Sequence, residues 1–385
     1  MTINTTLGKT VFEIAEQLAQ TFKDNAARRD QLGGTPKAER DLIRESGLLK
    51  LLIPKEFGGW GGTWTDVVQI VRIFSKYDSS LAHVYGYHFV NLITAHLWGN
   101  QKQQEYYYLE TVNHNLFWGN AFNIVDLKLR AHQENGQYVL NGMKTFCTGS
   151  VDSDYLIVSA ALEKQEDLFI AVVPTKRDGV TLNKDWDHFG QRQTDSGTVS
   201  FTNVIVKEDE ILRDGFKASE FAKLRINIAH FILNHLFLGI MEGAFDEARN
   251  YSLTKARPRS PQVNSVIDDP IFQRHYGEFY VQIEAARLLV ERTDVLFQRL
   301  WDKGEAITEE ERAELNQAVY TAKVFTTKAG LDITSRIFEV LGSRSTATHY
   351  GFDRHWRNLR TMTLHVPVDS IIQDLGNKVL LEKLT

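Results

Sequence analysis

The sequence predicts an α+β fold in three consecutive blocks: helices, then a small antiparallel β-unit, then helices again. Three observations carry this. Apolar residues recur at the helical period from Leu7 to about His114. The period changes to two between about Leu116 and Val206, where short apolar runs are set off by turn residues. Long helical patterns return after about Ile211 and continue to the end. The expected division is an N-terminal α-helical domain at 1–114, a central β-domain at 115–212 and a C-terminal four-helix-bundle domain at 213–385. A chain of 385 residues is too long for one ordinary core, which agrees with two or three structural units.

In the first block, VFEIAEQLAQTFKDNAARRD places Phe12, Ile14, Ala15, Leu18 and Phe22 on one stripe. KAERDLIRESGLLKLLIP reads as a second helix, ended by Gly47 and followed by Pro54. Phe57 to Gly62 form a glycine-rich turn. No strand precedes them, so they are not a phosphate cradle. Helices are expected from near Thr65 and from Ser79 to about Trp98. The β-block contains LFWGNAFN, LRAHQE, QYVLNGMKTFCT, DYLIVSAAL, LFIAVVP, VTLNK and TVSFTNVIV. Asn135-Gly136, Asn141-Gly142, Asp178-Gly179 and Ser196-Gly197 supply turns, and the spacing predicts an antiparallel sandwich or barrel. In the last block a long buried helix spans FAKLRINIAHFILNHLFLGIMEGAFDEARNYSLTKAR. A polar loop at 261–270, two long helices ending at Val340, a loop from Gly342 to about Phe352 and a helix after Pro367 follow.

The net charge of -5 at pH 7 argues against a nucleic-acid partner, which needs clustered positive charge. A single cysteine, Cys147, allows no internal disulfide. MTINTTLGKT has no secretory apolar core, and no window is read as reaching the roughly 20 apolar residues of a membrane span. The chain is therefore expected in the cytoplasm, without a membrane partner and without a metal. Its 22 Phe, 13 Tyr and 7 Trp fit a well-filled core and equally a large apolar pocket for a planar cofactor or substrate.

Motifs narrow the reading. IPKEFGGWGG (53–62), NGMKTFCTG (141–149) and GQRQTDSGTVSFTNVIV (190–206) resemble segments of the acyl-CoA dehydrogenase superfamily, and the similarity covers nearly the whole chain. Within it, LAHVYGYH, FWGNAFN, TKARP with IDDPIFQRHYGE, and LGSRSTATHYGFDRHWRNLRTMTLHVPV resemble the reduced-flavin-dependent monooxygenases of the dibenzothiophene monooxygenase type. The resemblance implies the acyl-CoA dehydrogenase fold, usually tetrameric, here used for oxygenation and not dehydrogenation. Dehydrogenases of this fold carry a Thr-Glu-Pro-Gly type loop where this chain has Gly119-Asn120-Ala121-Phe122-Asn123. Many carry a catalytic glutamate where this chain has Val366, and a valine cannot remove an α-proton from a thioester.

The implied reaction uses reduced FMN, with FAD as the alternative, delivered by a separate NAD(P)H-dependent flavin reductase. O2 forms a peroxide on the flavin C4a, and one oxygen passes to a small apolar compound, with sulfur the first choice of acceptor. Such chemistry needs a proton donor near neutral pH and exclusion of water. The resemblance gives the catalytic roles to His365, beside the vacant base position, to His88, on one helical face with Tyr85 and Leu92, and to Asn120. A core histidine bonded to a backbone carbonyl is the other reading of His88. His83 and His96 are read as structural. Phe146, Thr148 and Trp186 are the implied flavin contacts. Strand alternation would also put Phe146 and Thr148 on one face, and Trp186 also reads as a loop anchor. Arg257 and Arg344 are implied ligands of the flavin phosphate, one of them from a neighbouring subunit. Met362 stands where the monooxygenase pattern often has a second histidine.

Two alternatives stay open: an acyl-CoA or nitroalkane-type oxidation on the same fold, and DNA binding through Arg344, Arg354, Arg357 and Arg360 with His349 and His355.

Overall fold

The structure, a computed structural model, describes residues 10–162, 168–213 and 219–381. Among these, six helices come first: α1 (Val11–Lys23), α2 (Ala26–Leu32), α3 (Lys37–Ser46), α4 (Trp64–Ser75), α5 (Ser79–Trp98) and α6 (Gln101–His114). Strands follow as β1 (Trp118–Ala121), β2 (Arg130–Glu134), β3 (Gln137–Lys144), β4 (Tyr155–Leu162), β5 (Leu168–Pro174), β6 (Val180–Leu182) and β7 (Val199–Val206). Then come α7 (Glu220–Lys255), α8 (Pro270–Lys303), α9 (Glu309–Leu341), α10 (Asp353–Thr363) and α11 (Val368–Leu381).

The helix starts are written in the sequence. Thr10 with Glu13, Thr63 with Asp66 and Thr308 with Glu311 close capping boxes at α1, α4 and α9. Each satisfies backbone donors that would otherwise lack partners, and losing such a cap costs about 1 kcal/mol. Gly47 ends α3 in the left-handed region at φ 78°.

Two helices organise the interior. α5 is buried on every face, and α7 is buried along most of its length. Contrary to the sequence expectation, α7 is long and apolar enough to cross a membrane; its apolar stretch instead lies inside the bundle. α9 runs parallel to α7, tied by Asn234 Nδ2 donating to the Val319 carbonyl at 3.0 Å. α8 runs antiparallel to both, tied by His235 to Asp294 at 2.7 Å and by Gln282 to Asp332 at 2.9 Å. The end of α4 approaches α7 closely. A Cβ on Gly243 would sit 2.1 Å from the Lys76 carbonyl oxygen, so a larger residue would push the helices apart.

The β-block is one seven-stranded mixed sheet of order β1-β4-β2-β3-β7-β6, with β5 on the other side of β4. The expectation of a purely antiparallel unit is corrected here, because β1 and β2 both pair with β4 in parallel. Period-two patterning reports which face a side chain takes, not which neighbour its strand pairs with. The sheet keeps its own core around Leu140, Leu156 and Phe201. α1, α4, α5 and α7 share a second core with β1. The candidate site lies where these two cores meet.

α10 was not read from the sequence. Its buried face mixes Arg354, His355 and Asn358 with Leu359 and Met362, so its apolar stripe is too short to announce it. Arg354 and His355 are matched by Glu247 of α7.

Candidate active site

Four of the residues implied by motif come together at one edge of the sheet. Lys144, at the end of β3, is buried, and its Nζ donates to the carbonyls of Asn123 at 2.7 Å and Asp126 at 2.6 Å. The chain then leaves the strand. Phe146 adopts φ 57°, so strand alternation does not relate it to Thr148. The Phe146 ring is 57% exposed and stands edge-on to Trp186 at 6.0 Å. Trp186 stacks on His188 at 3.7 Å and anchors its loop by donating from Nε1 to the Gln191 carbonyl at 2.8 Å. Thr148 is buried, with its hydroxyl 3.0 Å from that of Ser196. The Asn120 backbone N–H donates to the Thr148 carbonyl at 2.9 Å. The result is an exposed aromatic shelf beside a cluster of hydroxyl and amide groups.

The same loop reaches both helical blocks. Gln191 Nε2 donates to Ser79 Oγ at 3.3 Å, one turn before His83 on α5. Its backbone N–H donates to Asn358 Oδ1 of α10 at 2.6 Å. Gly190 lies so close to α10 that a Cβ there would be 2.1 Å from the Arg357 carbonyl oxygen. On the other side Arg40 is wholly buried, pairing with Asp195 and Asp152 at 3.1 Å each and donating to the Gly149 carbonyl at 3.1 Å.

The histidine assignment on α5 is corrected. His88 is a core residue: its Nε2 bonds the Leu49 carbonyl at 2.8 Å, and its Nδ1 accepts from the Trp118 backbone N–H at 3.2 Å. Both ring nitrogens are consumed by backbone, and burial pushes its pKa down to about 3. His83, read as structural, is the histidine with free nitrogens. It is buried, neither nitrogen has a hydrogen-bond partner, and its ring packs edge-on against Tyr87 at 4.4 Å. Tyr87 Oη is likewise buried without a partner. The four-residue spacing of His83 and Tyr87 puts both on one face of α5, the signal that could have found them.

His365 sits in the turn between α10 and α11. Its surface is open to solvent, yet protein surrounds it closely enough that desolvation, followed by Lys323 and Arg225, pushes its pKa down to about 4. An accessible side chain under strong desolvation lines a recess. With its pKa held down, His365 favours the neutral imidazole, able to donate one N–H. His365 also lowers the pKa values of His83 and His230, each to about 3 after burial. Lys323 and Arg225 thus bear on His365, and Lys323 and His365 bear on His230, through their charge.

Arg225 and Lys323 were missed. Arg225 on α7 is buried, hydrogen-bonds Thr94 through Nε, and lies over Phe122 at 5.1 Å and Trp98 at 6.0 Å. Lys323 on α9 is fully buried, its Nζ has no hydrogen-bond partner, and it sits 4.2 Å over the Phe237 ring. Met362 is buried at the end of α10. For Arg225, a charge leading into the apolar stretch of α7 was the available sequence signal. No carboxylate figures among the influences on His83, His230, His365, Arg225 or Lys323.

Arg257 and Arg344 are not at this recess in the same chain. Both are exposed and follow the C-terminal ends of α7 and α9. Arg225 is near the start of α7, and at 1.5 Å per residue the helix carries Arg257 roughly 45 Å away. Arg344 bears instead on Tyr251 at that far end. Of the basic stretch weighed for DNA binding, Arg354 pairs with Glu247 and Arg357 with Asp30 and Asp353, so their charge is spent internally.

A helical domain, a mixed sheet with an exposed aromatic shelf and a helical bundle closing over it define the class of acyl-CoA dehydrogenase-type flavoproteins. The chain belongs to the acyl-CoA dehydrogenase family. Its N-terminal domain matches residues 9–114, its middle domain 120–204 and its C-terminal domain 232–370. The chain is 47% identical to the probable FMNH2-dependent monooxygenase SfnC of Pseudomonas putida, over 96% of this chain and 94% of the relative. It is 42% identical to a dibenzothiophene monooxygenase of Rhodococcus erythropolis, over 95% and 92%. Among solved structures, methanesulfinate monooxygenase MsuC from Pseudomonas fluorescens superposes with a TM-score of 0.95 at 46% identity, covering 98% of each chain. FMN-bound TdsC from Paenibacillus sp. A11-2 superposes at 0.92 with 38% identity, over 96% of this chain and 97% of that one.

Proposed function

We propose that this chain is an FMNH2-dependent monooxygenase that oxygenates a small sulfur-containing compound, drawing reduced FMN from a separate NAD(P)H-dependent reductase. The observation that carries this is the residue at the dehydrogenase base position. By motif Val366 stands there, and its neighbour His365 is acted on by Lys323 and Arg225 with no carboxylate influence. α-Proton removal has no base there, whereas oxygenation needs none of that kind.

The residues present fit a flavin. Phe146 offers an exposed aromatic face beside Trp186, Thr148 and Asn120 offer polar groups at its edge, and Gln191 Oε1 is buried without a partner. When bound, reduced FMN supplies two electrons and two protons, so one atom of O2 goes to sulfur and the other leaves as water. The chain's own residues do the rest. Phe146, Thr148, Trp186 and Asn120 hold the ring. His365 and His83 present neutral imidazoles as hydrogen-bond donors to developing negative charge. Tyr87, Phe122 and Trp98 wall the recess against water.

Arg257 and Arg344 hold a flavin phosphate, one of them from a neighbouring protomer of a homotetramer. Val281, Leu288 and Val295, exposed at seven-residue spacing along α8, supply an apolar stripe for that assembly. The protein acts in the cytoplasm, without nucleic acid or membrane as partner.

The test supplies photoreduced FMN and 18O2 with dibenzothiophene and, separately, with ethanesulfinate. One 18O atom in an S-oxidised product is expected, and His365→Ala diverts O2 to hydrogen peroxide. Product free of 18O, or bleaching of bound flavin by an acyl-CoA, overturns the reading.

A further inference from the structure

We propose that Arg225 is a positioning residue for the oxygenation: through the ring of Phe122 it fixes the side chain of Asn120 at the edge of the aromatic shelf. Its catalytic meaning rests on the oxygenase reading; the contacts themselves stand on distances.

Asn120 takes its setting from two backbone carbonyls. Its N–H donates to Thr148 on the shelf at 2.9 Å, and its side-chain Nδ2 donates to Phe122 at 3.3 Å. Phe122 is the first residue beyond β1, whose pairing with β4 ends at Ala121. The peptide that follows is held from its N–H side, Asn123 donating to Ser159 Oγ at 3.0 Å. The Phe122 ring is held from the helices. Trp98 lies 5.5 Å from it, and the Arg225 guanidinium lies over it at 5.1 Å and over Trp98 at 6.0 Å. Both holders are fixed in turn. Trp98 Nε1 donates to the Ala222 carbonyl at 3.1 Å, one turn before Arg225 on α7. Arg225 Nε donates to Thr94 Oγ1 of α5, and that hydroxyl donates to the Val90 carbonyl at 2.7 Å. From α7 to the shelf the contacts run unbroken: Arg225, Phe122, Asn120, Thr148.

A buried guanidinium is normally matched by a carboxylate. Among the described residues Arg225 joins no ion pair, and its charge meets two rings and the Thr94 hydroxyl. An apolar side chain would fill the same space without the desolvation cost. The cation adds direction, because a ring attracts positive charge over its face and not at its edge. The Phe122 ring is therefore turned one way, and with it the carbonyl that Asn120 uses. Asn120 both donates and accepts hydrogen bonds, so its orientation decides which of the two it offers. Misplacing such a group by about 1 Å costs on the order of 100-fold in rate.

The test measures hydrogen peroxide released per FMNH2 consumed, with photoreduced FMN, O2 and either dibenzothiophene or ethanesulfinate. Arg225→Met should raise it at least fivefold, change the KM for FMNH2 less than twofold and melt no lower than wild type, since an apolar isostere replaces an unmatched charge. Arg225→Lys should fall between. Phe122→Leu should raise peroxide as Arg225→Met does, and Phe122→Tyr, which keeps the ring face, should not. The double variant Arg225→Met with Phe122→Leu should be no worse than either single one, because residues acting through one another are not additive. Unchanged peroxide in Arg225→Met, effects that multiply in the double variant, or equal peroxide in Phe122→Leu and Phe122→Tyr overturns the proposal. Wild type that puts no 18O into either compound overturns the oxygenase reading instead. The visible spectrum of bound oxidised FMN then decides: Arg225→Met should shift it as Asn120→Ala does, and an unshifted spectrum overturns the positioning role.

Discussion

Gln191 and Asn358 join the two halves of the site through one buried hydrogen bond, the Gln191 backbone N–H donating to Asn358 Oδ1 at 2.6 Å. Gln191 belongs to the loop that anchors Trp186, and Asn358 lies two helical turns before His365. The aromatic shelf and the imidazole turn are thus held in register by this one contact. Gln191 takes φ 54° to make the contact, a conformation non-glycine residues seldom adopt.

Replacing Asn358 by alanine strands a buried N–H, which should cost about 1–3 kcal/mol of stability. The more telling outcome is uncoupling: hydrogen peroxide released per FMNH2 consumed should rise severalfold. Asn358→Asp keeps the acceptor and should recover most of the coupling. Peroxide yield unchanged in the alanine variant would show that the contact is structural only.

Arg40 plays the matching part on the N-terminal side. Breaking a buried ion pair by removing one partner typically costs about 3–5 kcal/mol, because the other charge is left stranded. Arg40→Ala strands Asp195, next to Ser196, and frees the Gly149 carbonyl, next to Thr148. Chemical denaturation should show a loss of that order, with FMN affinity reduced in parallel.

Much of the fold was legible because helices and strands announce themselves locally. Thr10 with Glu13 and Gly47 mark helix ends in any context, and the period change near Leu116 is a pattern of the chain alone. The parallel pairing of β1 with β4 and the polar helix α10 were not legible, since both depend on partners distant in sequence. The site divided the same way. Asn120, Phe146, Thr148 and Trp186 sit in recognisable motifs and lie at one edge of the sheet. His88 and His83 share one motif, and only packing decides which of them backbone groups consume. Arg225 and Lys323 gave no local sign of being buried without a carboxylate, because that depends on how α7 and α9 pack against their neighbours.

Lys323 should make the protein less stable in acid than near pH 10. Burial holds its folded pKa near 7, against an ordinary value of 10.5. Below about pH 7 the ammonium is charged in both states and the folded protein bears the whole desolvation cost. Between about 7 and 10.5 the unfolded chain holds the proton while the folded chain does not, so stability rises with pH. Lys323→Met removes this slope and should raise stability at pH 6 by on the order of 3 kcal/mol. Parallel stability curves for wild type and variant across that interval would refute the assignment.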